Sequence, residues 1–206
     1  MEEGRAIKCV AVMFVTVVVL ATMSACGFFD KGKRENCAGN LKQLGTALKL
    51  YASSYDDKYP FASGAEGLEI LRANDFLADY NVYICPTTSN KAGSGYEALT
   101  YGSNSQAANV TYAFVGGMID GDSSLWGRAD SAIAADFSGN PAYAGINGGK
   151  SNHEKFGNIL FLDGSVRDFS GANWFNTTNT GYVDKNTVLA FDTFPMVPNR
   201  IVVGNK

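Results

Sequence analysis

Histidine is almost absent from this 206-residue chain, and basic residues are not in excess. His153 is the only histidine, so no second imidazole is available for a metal site. The 17 Lys and Arg residues are outnumbered by 20 Asp and Glu residues, and no basic stripe is visible. Nucleic-acid binding is therefore not expected. Paired catalytic carboxylates, a phosphate-binding glycine loop and an elbow-like serine are also missing, which argues against an enzyme.

Charge is also missing from residues 9–25, an apolar run preceded by Arg5 and Lys8. Seventeen such residues are at the lower limit for a spanning helix and fit the core of a long signal peptide. The run ends in Met-Ser-Ala, and together with the following Cys26 these residues resemble a bacterial lipobox. We expect residues 1–25 to be a signal peptide or membrane anchor and Cys26 to be lipidated; the alternative is an uncleaved anchor with an incidental cysteine. Either reading places the body in the cell envelope, in the periplasm or on the cell surface.

The chain has four cysteines. Cys9 falls in the apolar run and Cys26 is the predicted lipid site, which leaves Cys37 and Cys85 in a compartment that permits disulfides. We expect these two to pair, and two free thiols are the alternative. A metal site built from two cysteines and a distant histidine lacks a fourth ligand.

Residues 26–36 are predicted to be a linker or helix start, and residues 37–206 a single α+β domain. Apolar residues recur at helical steps from Cys37 and predict a first helix over about residues 33–55 with one buried face. That face comprises Leu41, Leu44, Leu48, Tyr51 and Tyr55. A second helical stretch is predicted over 65–79, with Leu68, Leu71 and Phe76 inward.

The rest of the chain predicts strands and loops. Residues 87–109 are rich in Ser, Thr, Asn and Gly and predict a long loop. Strands are expected at 110–115, 132–136, 158–162 and 165–169, with a further one at 187–191. Asp163-Gly164 predicts a two-residue type I′ turn between two of them. Helix first and antiparallel strands afterwards indicate a helix packed on a small sheet.

Several short motifs occur in an order that resembles one family. His153 is followed by nine residues and then Asp163-Gly164. Upstream stand the Tyr-Pro at 59–60, the Gly-Leu-x-x-Leu at 67–71 and the Ile-Cys-Pro at 84–86. Together they resemble bacterial pilin-like proteins, including the pseudopilins of type II secretion, that carry a C-terminal H-x9-D-G motif. The resemblance covers roughly residues 37–169 and implies a pilin-like α+β fold.

The amino terminus departs from that family. Pilin-like proteins normally begin with a Gly followed by a Phe-Thr-Leu-Ile-Glu type segment, where a prepilin peptidase cuts. Here Gly4 is followed by Arg5, and no Glu stands five residues later. The body resembles a pilin, whereas the anchor resembles that of a lipoprotein.

His153 and the Asp163-Gly164 pair are predicted to be structural, with His153 capping a loop or bonding a backbone group beside the hairpin. The alternative for Asp163 is a calcium site with Asp136 and loop carbonyls, because calcium takes six to eight oxygens. The resemblance to calcium-binding major pseudopilins makes calcium the one cofactor to consider.

The resemblance implies a structural or assembly component of type II secretion or type IV pilus systems, with other pilin-like subunits or the secretion machinery as partners. The alternative is a lipid-anchored surface protein that binds glycans or other ligands on the loops at 87–109 and 138–152. An envelope hydrolase that uses His153 is a third reading.

Overall fold

A computed structural model describes residues 31–103, 105–121, 131–139 and 143–171. The chain divides into two compact units, Met1–Glu35 and Asn36–Lys206, and of the first only the helical residues 31–35 are described. The predicted signal segment, Cys26 and the strand expected at 187–191 lie outside these ranges. No helix within the described ranges is long and apolar enough to cross a membrane.

The second unit contains the greater part of one α-helix, a second α-helix and a four-stranded antiparallel sheet, which confirms the predicted α+β class. Among the described residues helix α1 covers 31–54 and helix α2 covers Gly64–Ala73. The strands are β1 (Tyr112–Phe114), β2 (Ala132–Asp136), β3 (Phe156–Phe161) and β4 (Val166–Ser170). They pair in chain order, β1-β2-β3-β4, and each neighbouring pair is antiparallel.

Helix α1 buries one face, as its periodicity predicts. Leu41, Leu44 and Leu48 are fully enclosed in the core. A Cβ at Gly45 would stand 2.8 Å from Leu160 Cδ1, so the helix lies directly on β3 at this point. Tyr55, which the pattern places on the buried face, is 45% exposed. It follows the last helical residue and stacks on Tyr51 instead, with ring centroids 4.3 Å apart.

Helix α2 is shorter than the predicted 65–79. It ends at Ala73 because the Asn74 side chain donates a hydrogen bond to the Ile70 carbonyl and Asp75 adopts a left-handed backbone with φ of 59°. Leu68 and Leu71 are buried, as predicted, and Phe76 packs partly buried against the core. A short 3-10 helix, Tyr80–Tyr83, then leads to Cys85.

The turn between β3 and β4 is not the predicted type I′ turn, because Asp163 has no positive φ. The Gly164 amide donates to the Phe161 carbonyl, and the Phe161 amide donates to the Ser165 carbonyl. Gly164 has a φ of 82°, so the loop is a three-residue connection ending in a left-handed glycine. Asp163 Oδ1 accepts from the Ser165 amide and fixes the turn locally.

The contact of α2 with β1 generates a stability prediction. A Cβ at buried Gly67 would overlap the Ala62 carbonyl oxygen and the Phe114 ring. Gly67→Ala is expected to lower the free energy of unfolding by about 1–3 kcal/mol, because overpacking outweighs the better helix propensity of alanine.

The matched control is Gly39→Ala in α1, where a Cβ meets no atom within 4 Å. This substitution should leave stability unchanged or raise it by up to about 1 kcal/mol. Denaturant unfolding of both variants measures the difference; equal stability of the two would contradict the packing seen at Gly67.

Candidate functional site

Four side chains from distant parts of the chain meet in the interior of the domain. They are Cys37 of α1, Cys85 after the 3-10 helix, Asp136 at the end of β2, and His153 before β3. All four are buried, and their potential ligand atoms lie within 4.8 Å of one another. We call these four residues the buried cluster.

Cys37 and Cys85 form a disulfide, as the cysteine count predicts. Cys85 is further held by its amide, which donates to Thr111 Oγ1 at 2.6 Å. Its sulfur lies 2.9 Å from Thr87 Oγ1, and this hydroxyl in turn donates to the Asn152 carbonyl. The cysteine is therefore fixed on both its backbone and its side chain.

Asp136 is a fully buried carboxylate with unequal oxygens. Oδ2 accepts from the backbone amide and the side-chain amide of Asn158, both at 2.8 Å. The same oxygen lies 3.3 Å from His153 Nε2. Oδ1 has no hydrogen-bond partner among the described residues. Because buried polar atoms are normally paired, this oxygen marks a position that favours a proton donor or a cation.

His153 lies between the carboxylate and the disulfide. Its Nε2 is 3.3 Å from Asp136 Oδ2 and 3.4 Å from Cys85 Sγ, and its ring stacks on Phe156 at 4.2 Å. In a nucleophilic triad the acid and the nucleophile occupy different ring nitrogens. Here both contacts fall on one nitrogen and the side chain is buried, so the arrangement is not that of a nucleophilic triad.

The segment before His153 is held by hydrogen bonds to residues next to β1 and β2. The Asn152 amide donates to the Phe137 carbonyl at 2.9 Å, and Asn152 Nδ2 donates to the Thr111 carbonyl at 2.7 Å. Ser151 Oγ donates to the carbonyl of His153 at 2.6 Å. The His153 ring contacts the side chains of Asp136, Cys85 and Phe156, whereas the sequence predicts a loop cap or a bond to the backbone.

Tyr112 is paired with Asp136 across β1 and β2. Its burial raises its pKa well above the ordinary value, and the neighbouring Asp136 carboxylate raises it further, whereas a hydrogen bond from Asn40 opposes the shift. Asn40 Nδ2 lies 3.3 Å from the phenol oxygen and 2.9 Å from the Ile84 carbonyl. The phenol therefore stays neutral at neutral pH and adds no second negative charge beside the carboxylate.

The other predicted site residues do not join the cluster. Asp163 and Gly164 lie in the β3–β4 turn, where the Asp163 carboxylate bonds Ser165 and Arg167. Asp136 contacts Asn158, five residues or roughly 16 Å of extended chain before Asp163. The calcium pairing of Asp136 with Asp163 is therefore wrong, because the length of β3 separates them.

Sequence reasoning also missed groups that position the cluster. It counted two cysteines and a histidine, and the structure adds Asp136 as a fourth potential ligand. The sequence pattern does not point to the orienting residues Thr87 and Asn158. One signal was present: Asn158 interrupts the apolar β3 sequence, and a polar residue inside a buried strand usually has a specific partner.

A second feature lies on the loops. An open cleft of about 880 Å³ is lined by residues of the 89–109 loop and by residues 144–148. The Asn90 side chain fastens its wall by donating to the carbonyls of Ala108 and Gly145 and accepting from the Asn147 amide. The cleft coincides with the loops at which the sequence predicts an alternative binding site.

No family model matches the chain, and neither a curated protein nor a solved structure matches it.

Removal of the Asp136 carboxylate from the buried cluster is expected to have a large effect on the free energy of unfolding. Asp136→Ala should lower the free energy of unfolding by about 2–5 kcal/mol, because both buried Asn158 donors lose their acceptor. The matched control is Asp163→Ala, in the partly exposed turn, with an expected loss below about 1 kcal/mol. Urea unfolding of the oxidised protein measures both; a loss of less than 1 kcal/mol at Asp136 would show that the cluster does not stabilise the fold.

Proposed function

We propose that this chain is a membrane-anchored bacterial envelope protein with a pilin-like body, a non-catalytic structural or assembly component related to type II secretion or type IV pilus systems. The anchor is the amino-terminal apolar segment or a lipid on Cys26. The partners are other pilin-like subunits or the secretion machinery.

The proposal rests on the structural roles of the residues of the H-x9-D-G motif. His153 is 4% exposed and contacts Asp136 and the Cys37–Cys85 disulfide rather than solvent. Asp163 and Gly164 form the turn that closes the same hairpin. His153, Asp163 and Gly164 thus stabilise the domain that packs on α1. This suits a protein whose task is to present a stable surface.

Exposed apolar side chains lie near the end of α1 and support a surface for subunit contact. Tyr55, Phe61 and Ile119 are 45%, 79% and 38% exposed, and they lie around one shallow groove with Tyr51 and Met118. Contiguous exposed apolar surface is typical of protein contacts. We assign these three exposed residues as the contact surface for another pilin-like subunit.

Site-specific photocrosslinking in the native envelope tests this assignment. A photoreactive residue at position 61 should give adducts with the same protein or with another pilin-like subunit. The control position is Tyr96, which is fully exposed on the loop side of the domain. Adducts that are absent at 61, or equally strong at 61 and 96, would contradict the assembly proposal.

A second candidate function rests on the open cleft. Its lining combines polar side chains, among them Lys91, Glu97 and Thr100, with alanines and glycines, and the walls are fixed by the Asn90 hydrogen bonds. A preformed cleft that is apolar in part and carries a few polar groups suits a glycan or another hydroxylated ligand. This supports a lipid-anchored surface binding protein as the alternative.

A glycan array probed with the purified protein tests the alternative. At least one glycan should be retained, and Ser105→Trp, which fills the cleft, should reduce its binding about tenfold or more. Gln43→Trp on the exposed side of α1 is the control and should bind like the unaltered protein. An array without specific signals, or equal loss in both variants, would contradict this candidate.

A further inference from the structure

We propose that Cys37, Cys85, Asp136 and His153 bind one Zn²⁺ ion when the disulfide is reduced. The buried cluster would then exist in two alternative forms, an oxidised form closed by the covalent bond and a reduced form closed by the metal. This inference goes beyond the structural function proposed above and does not depend on it.

The geometry of the cluster is close to that of a tetrahedral site. Zinc–ligand distances of about 2.0–2.3 Å place the ligand atoms about 3.3–3.8 Å apart. Here all four potential ligand atoms already lie within 4.8 Å of one another. Reduction allows the two sulfur atoms to separate to that spacing, while the oxygen and nitrogen need to move by about 1 Å or less. In the oxidised protein the two sulfur atoms are bonded to each other and are not available as thiolate ligands, so the metal does not bind.

The donor set suits zinc rather than calcium. Two thiolates, an imidazole nitrogen and one carboxylate oxygen are ligands that zinc accepts, whereas calcium and magnesium require more oxygens. In the reduced cluster the two thiolates and the carboxylate carry three negative charges, and a divalent cation leaves a net charge of −1. Without the ion, burial of these charges would be strongly unfavourable, so the thiols would stay protonated.

The surroundings of the cluster provide independent support. Among the described residues, Asp136 Oδ1 and Asn152 Oδ1 are buried acceptors with no hydrogen-bond partner. Asp136 is oriented by two bonds from Asn158, and Cys85 Sγ is contacted by Thr87 Oγ1. Outer hydrogen bonds of this kind orient ligands around metal ions. The unpaired Oδ1 on a carboxylate that Asn158 orients indicates a place where a cation compensates a buried oxygen atom.

The change between the two forms balances chemically. A water-soluble phosphine reduces the disulfide, takes an oxygen atom from water and becomes the phosphine oxide, while the two sulfurs gain two electrons and two protons. Zinc binding then displaces both thiol protons to solvent. In a cell, a dithiol reductant would supply the same two electrons and two protons. The metal would hold α1 to the segment around Cys85 in place of the covalent bond.

The test uses the purified full-length chain, reduced with the phosphine under anaerobic conditions and titrated with Co²⁺ and then Zn²⁺. We expect one equivalent of Co²⁺ per chain, with thiolate charge-transfer and tetrahedral d–d bands that Zn²⁺ abolishes. The oxidised protein should show none. A Cys9→Ser, Cys26→Ser double variant is the matched control and should keep the full signal, because these cysteines lie outside the cluster.

Asp136→Asn, His153→Gln and Cys85→Ser should each weaken metal binding by at least about tenfold. The proposal is overturned if the folded, reduced chain binds no cobalt, or if Asp136→Asn and His153→Gln both bind as tightly as the unaltered chain. If reduction unfolds the protein, Zn²⁺ must restore its circular dichroism spectrum, since metal binding is then coupled to folding. Failure of Zn²⁺ to restore the spectrum also overturns the proposal.

Discussion

The Cys37–Cys85 bond is the constraint on which the rest of the domain depends. It joins α1 to the chain just after the 3-10 helix, across a sequence separation of 48 residues. In the chain-entropy model a closed loop of this length restricts the unfolded state by about 4 kcal/mol. The benefit is large here because the segment from Cys85 to β1 is irregular and contributes few ladder hydrogen bonds of its own. Once Cys85 is fixed, Thr111 and β1 are positioned through its amide.

The buried polar groups beside that bond extend the constraint to the sheet. Asp136 connects β2 with β3 through Asn158, and His153 connects the carboxylate with Cys85. A buried carboxylate is costly to desolvate, and it is tolerated only where several donors compensate it. Its two Asn158 bonds supply that compensation on one oxygen, and the other oxygen has no partner in the part of the chain that the structure describes. The cluster therefore stabilises one arrangement of four elements while retaining an unsatisfied acceptor.

Local sequence patterns predict the helices and strands, but they do not predict that the residues of the buried cluster meet. The helical period predicted the end of α1 to within one residue, and the apolar run predicted β2 with its observed bounds. Counting the cysteines predicted the disulfide. The predictions that Tyr55 is buried and that Asp163-Gly164 forms a type I′ turn were wrong. A helix end and a loop length depend on hydrogen bonds that composition does not specify. Asp136, His153 and Cys85 are brought together by sheet register, and no spacing in the sequence carries that information.

The register also explains the spacing between His153 and Asp163. His153 precedes β3 and contacts the cluster, while Asp163 follows β3 and forms the turn. The nine residues between them therefore correspond to β3 and the short segments on either side of it. Adding or removing one residue would move Asn158 to the opposite face of the sheet, because side chains alternate along a strand. The Asp136 carboxylate would then lose its donors, or Gly164 would leave the left-handed position of the turn. The spacing is fixed by two structural requirements at the ends of a single strand.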